Sequence, residues 1–68
     1  MPWNEDDLRR AEKHIEQALQ YISMQERRIR EMQREGRDTS DAEDLLTSLR
    51  QTLIVLRRHK TIVERDLA

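Results

Sequence analysis

Residues 29–46 read IREMQREGRDTSDAEDLL, and the fold turns on how this stretch divides. An apolar series arrives through Ile29 and Met32, stops at Gly36, the one glycine of the chain, and restarts at Ala42 and Leu46. Traced outward, the first arm carries Leu8, Ala11, Ile15, Ala18, Ile22, Ile29 and Met32 at alternating steps of three and four, with polar Gln25 filling the gap. The second arm carries Ala42, Leu46, Leu49, Leu53, Leu56, Val63 and Leu67, broken at Lys60. A seven-residue repeat keeps one stripe of a helix facing a partner. The expected fold is therefore all-α: an antiparallel two-helix hairpin of coiled-coil type within a single domain, residues 1–68. Helix one is expected over about 5–35, the loop over about 36–40 and helix two over about 41–67.

Local chemistry marks the same boundaries. Asn4 is a good N-cap, Glu5, Asp6 and Asp7 put negative charge on the positive end of the helix dipole, and Trp3 can pack on Leu8 as a hydrophobic staple. Arginines crowd the C-terminal turns of helix one, and Gly36 suits the left-handed conformation that ends helices. Ser40 with Glu43 three residues later reads as a capping box, with Thr39 the alternative cap. Neither arm contains an internal proline or glycine, so intrinsic preference agrees with the periodicity.

A chain of 68 residues usually needs disulfides, metal or self-association to be stable. Cysteine is absent and only two histidines are present, which leaves self-association. Charged residues make up 40% of the chain but cancel to a net charge of -1, so no general attraction to nucleic acid or anionic lipid is implied. No stretch approaches the roughly 20 apolar residues that cross a bilayer, and the start, Met1 to Asp7, is acidic where a signal peptide is basic and then apolar. A cytoplasmic location is the expectation.

Antiparallel pairing sets a register. With a positions at Leu8, Ile15, Ile22 and Ile29, and at Leu46, Leu53, Lys60 and Leu67, Met32 falls near Leu46, Ile29 near Leu49, Gln25 near Leu53, Ile22 near Leu56 and Ile15 near Val63. Lys60 lands opposite Ala18, where its stem can cross apolar surface and reach water. Glu26 falls near Arg50, and Arg57 within reach of Glu16, while Glu12 near Glu64 is the one mismatch.

This seam leaves a second flank uncovered. Tyr21 and Met24 of helix one lie on the same side as Leu45, Thr52, Val55, His59 and Ile62 of helix two. A hairpin has no third layer to cover them, so these seven residues are the expected interface of a homodimer that closes into a four-helix bundle. The opposite flank, with Glu12, Arg50, Arg57 and Glu26 around Leu19 and Ile54, reads as solvated.

Chemical motifs are few. His14 and His59 sit apart at boundary positions, near Asp66 and Tyr21 respectively, and no HExxH, Glu-x-x-His pair or glycine-rich phosphate loop occurs. The serines and threonines have no base partner, so no catalytic residue, metal or cofactor is expected. Arg27, Arg28, Arg30, Arg34 and Arg37 near the loop are the candidate phosphate contacts of an RNA- or DNA-binding hairpin. Against that reading, they spread over several heptad positions, lie beside Asp41, Glu43 and Asp44, and lack stacking aromatics. Met24 and Met32 divide between flank and seam, which favours packing over a peptide groove.

Gln25-Glu26-Arg27-Arg28-Ile29-Arg30-Glu31-Met32, then Gly36-Arg37-Asp38-Thr39, then Ala42, Leu45-Leu46, Leu49, Thr52-Leu53 and His59 resemble a group of short uncharacterised alphaproteobacterial proteins. His14-Ile15 matches the first element of their pattern, and Met32 stands where they tend to carry leucine. The resemblance covers most of the chain beyond residue 13 and implies no activity. In architecture alone the chain is similar to the plasmid RNA-one modulator proteins, hairpin dimers that bind paired RNA loops, and that similarity implies RNA binding as an alternative. The expectation is a non-enzymatic interaction or regulatory module acting as a homodimer. Its expected partner is a second copy, another protein being a further candidate; nucleic acid and membrane are disfavoured.

Overall fold

The structure, a computed structural model, describes residues 2–68; the expected domain span also includes Met1, which lies outside the described residues. Two helices pack against each other along a rod of 53 × 14 × 12 Å, with no strand among the described residues. Helix α1 is Glu5–Arg34 and α2 is Ser40–Leu67, within a residue of the expected bounds.

The start of α1 is held on both sides. Asn4 Oδ1 accepts from the Asp7 backbone N–H at 3.0 Å, and Asp7 Oδ2 accepts from the Asn4 N–H at 2.9 Å, a reciprocal capping box. The Asn4 N–H, then the Arg10 guanidinium, hold the Asp7 carboxyl below its ordinary value of 3.8, and His59 of α2 adds to the effect.

At the far end Gly36 has φ +69°, its N–H donates to Gln33 O at 3.1 Å and the Arg37 N–H donates to Met32 O at 2.9 Å. This is the Schellman ending, which satisfies the last carbonyls of α1 and turns the chain back. A Cβ at position 36 would meet nothing within 4 Å, so the cost of a side chain there is conformational rather than steric. Gly36→Ala is expected to lower stability by about 1–2 kcal/mol, read as a fall in the thermal midpoint with helicity retained.

The start of α2 differs from the expected capping box. Thr39 is the N-cap and its side chain makes no capping bond. Ser40 is already helical, and both its N–H and its hydroxyl donate to Asp38 Oδ1, at 2.9 and 2.7 Å. These bonds, the hydroxyl's first, hold the Asp38 carboxyl below its ordinary range. With Ser40 one residue inside the helix, Glu43 is one position too late to answer it.

The heptad stripe is the core. Ala11, Ala18, Ile22, Ile29 and Met32 of α1 and Ala42, Leu53 and Val63 of α2 are buried, and the remaining stripe positions are half-buried. Ile22, Ala18 and Leu53 form one cluster, with Ile15, Leu46, Leu49 and Leu56 packed against it; Ile29, Met32 and Ala42 form another, joined by Leu46. Lys60 is half-buried, in keeping with a stem laid over apolar surface. The expected Glu26–Arg50 pair forms, at 3.3 Å, but Leu49, expected beside Ile29, packs instead on the Ala18, Ile22 and Leu53 cluster, while Ile29 and Met32 meet Ala42 and Leu46. Among the described residues Arg57 makes no ion pair with Glu16, and Glu12 and Glu64 are both exposed, where solvent screens their repulsion.

Two side chains make cross-helix contacts other than those expected. Gln25 reaches toward the loop instead of lying over Leu53, and its Nε2 donates to the Ala42 carbonyl at 2.9 Å. An amide in an apolar seam needs a partner, and a helical carbonyl keeps a second lone pair to supply one. Trp3 crosses to α2: its ring meets His59 at 5.0 Å between centroids and 84° between planes, and its N–H donates to Asp66 Oδ2 at 3.3 Å. His59, Val63 and Asp66 follow one another on one face of α2. Trp3 thus lies over this strip and closes the open end of the hairpin, where Val63 is 0% exposed.

Candidate functional site

The surface left over by this packing is asymmetric. On one flank Tyr21, Met24, Leu45, Val55 and Ile62 are 59, 64, 51, 62 and 53% exposed. The helical repeat places Tyr21 and Met24 one turn apart on α1, while Leu45, Thr52, Val55 and Ile62 follow each other along the matching side of α2. Thr52 donates its hydroxyl to the Ser48 carbonyl at 3.0 Å, so its polar group is already satisfied and can be covered without loss. An open groove between the helices, lined by Tyr21, Met24, Gln25, Arg28, Glu31, Leu45 and Leu49, continues this flank toward the loop.

The seam beneath is only partly closed. Leu46, Leu49, Leu56 and Ile15 touch the core clusters yet remain half-buried, because two helices cannot surround side chains of that size. The five exposed side chains add area on the order of 500 Å² per hairpin, against roughly 800 Å² per partner in a specific interface. Such a concentration on one side is what distinguishes a surface awaiting cover from scattered apolar residues.

His59 occupies a different setting from its expected neighbours. It is half-buried beneath Trp3 rather than beside Tyr21, so it belongs to the clasp at the open end as well as to the edge of the flank. Asp66 is engaged by the Trp3 backbone, and His14 is exposed without an ion pair to it among the described residues. No three His, Asp or Glu side chains converge as a metal would require among the described residues.

The arginines near the loop are all exposed: Arg27, Arg28, Arg30, Arg34 and Arg37. Their expected compensation by Asp41, Glu43 and Asp44 does not form among the described residues; Arg37 pairs with Glu35 at 3.5 Å, two residues back. Long exposed side chains gain little from such pairs and lose rotamer freedom in making them, so nearness in sequence does not guarantee contact. Arg27, Arg30 and Arg34 lie three and four residues apart and share the outer face of α1.

The opposite flank carries Leu19 and Ile54, 43 and 50% exposed, beside the Glu26–Arg50 pair. No helix among the described residues is long and apolar enough to cross a membrane. No family model, curated protein or solved structure matches the chain.

Proposed function

We propose that the chain is a non-enzymatic interaction module, placed in the cytoplasm, that works as a homodimer: two hairpins pair through Tyr21, Met24, Leu45, Thr52, Val55 and Ile62, with His59 at the margin, and close into a four-helix bundle. The observation that carries this reading is the pair of half-finished layers on one side of the rod. Large aliphatic side chains of the seam stay half-buried, and the five apolar residues above them stand more than half exposed. Fully burying one such side chain is worth roughly 1.5–3 kcal/mol, so a second hairpin laid on this flank gains enough to hold a dimer. Sedimentation equilibrium is the test: twice the chain mass supports the reading, and a monomer across the accessible concentration range overturns it.

A second reading rests on the uncompensated Arg27, Arg30 and Arg34 strip, which is the kind of surface that contacts phosphates of RNA or DNA. It predicts binding to a structured RNA that weakens steeply with salt and is lost when all three are changed to serine. Binding indifferent to both salt and the substitutions contradicts it.

A further inference from the structure

We propose that Trp3 belongs to the pairing surface, its indole being covered by the second copy; this rests on the pairing reading above and holds whichever way the two hairpins point. Leu45, Thr52, His59 and Asp66 stand seven residues apart, so they form one line along α2, on the side of the exposed flank. The two ends of this line differ in chemistry. Toward the loop it presents Leu45 and Thr52, and toward the open end an imidazole and a carboxylate. Trp3 is seated on both of the latter: its ring meets His59 at 5.0 Å, and its N–H donates to Asp66 Oδ2 at 3.3 Å. Ile62, 53% exposed, lies one turn from each of them.

Every polar residue of the line is thereby engaged. The Thr52 hydroxyl donates to the Ser48 carbonyl, the indole covers His59, and Asp66 accepts from the Trp3 backbone. A second copy laid on this end of the line meets an aromatic ring in place of a bare carboxylate, which lowers the cost of burying it. The five exposed apolar side chains offer area on the order of 500 Å² per hairpin, short of the roughly 800 Å² per partner of a specific interface. Further side chains on the same side must therefore take part. Trp3 is placed to do so: it is only half-buried in the hairpin. Its two ties to α2 hold it before a partner arrives, so little conformational freedom is left to lose on pairing. A large aromatic fixed in advance is the kind of residue that carries much of an interface's binding energy.

Trp3 is the one tryptophan of the chain, so its indole protons are identified without ambiguity. Isotope-filtered nuclear Overhauser spectroscopy on an equal mixture of isotope-labelled and unlabelled full chain reports contacts between copies alone. The Trp3 ring is expected to give cross-peaks to aliphatic protons of the other copy, alongside those from Tyr21, Val55 and Ile62. Cross-peaks from the flank with none from Trp3 overturn the proposal and leave pairing intact, with Trp3 a clasp within one hairpin. A dimer whose cross-peaks avoid both Trp3 and the flank overturns the proposal and the choice of flank together. A monomeric mass with no cross-peaks between copies overturns the pairing reading itself.

Discussion

Replacing Val55 and Ile62 together by glutamate is expected to convert the proposed dimer to a monomer that has lost most of its helicity. In a lone hairpin these positions are 62 and 53% exposed, so the carboxylates meet mostly water and the substitutions cost little. In a paired bundle four large apolar contacts disappear, and four carboxylates enter an apolar layer without partners. The loss is then about 6 kcal/mol or more per dimer, comparable with the whole stability expected of so short a chain. Sedimentation and circular dichroism on the double variant separate the two cases. Ile54→Glu is the matched control, because Ile54 is equally exposed but sits on the other flank; it is expected to change stability by less than about 0.5 kcal/mol. A double variant that remains a stable dimer shows that a different surface mediates pairing.

Val63→Asp unfolds the protein whatever its state of association. Val63 is the most enclosed side chain, at 0% exposure, closed off where Trp3 reaches across to His59 and Asp66. A carboxylate there enters a fully enclosed apolar position and has Asp66 one turn away on its own helix. The expected cost is several kcal/mol, enough to exhaust a fold of this size. Val63→Ala, which removes volume without adding charge, is expected to cost about 2 kcal/mol and to leave a folded, less stable protein. Chemical denaturation of the pair of variants checks the order; equal stabilities would show that the open end of the hairpin frays and that Trp3 does not close it.

The regular part of this fold was readable because its cause is periodic. A strip repeating every seven residues has one face to bury, and every position in it proves buried or half-buried, Lys60 included. Gly36 was readable for a different reason: a left-handed residue at the end of a helix has few chemical solutions, and the φ of +69° is the ordinary one. Where several solutions exist, the sequence was ambiguous. Ser40 and Thr39 both read as caps of α2, whereas the geometry of the turn gives the accepting role to Asp38, which was read only as part of the connection. Trp3 reads locally as a staple for Leu8, but its partners lie 56 and 63 residues away, and only the level of α2 at the open end reveals them. Gln25 was visible as a polar gap in the stripe; which carbonyl would satisfy it depended on side-chain reach. The flank of Tyr21, Met24, Leu45, Val55 and Ile62 followed from the same periodicity as the core, and its exposure in the hairpin is what a strip wider than two helices can hide requires.

The central claim is that this hairpin completes its core only against a second copy, and the dependence of its unfolding on protein concentration tests that most directly. If folding and pairing are one equilibrium, each tenfold dilution removes about 1.4 kcal/mol of apparent stability, and the thermal midpoint followed by circular dichroism falls with it. A midpoint that stays fixed over a hundredfold dilution, with a monomeric mass throughout, contradicts the account.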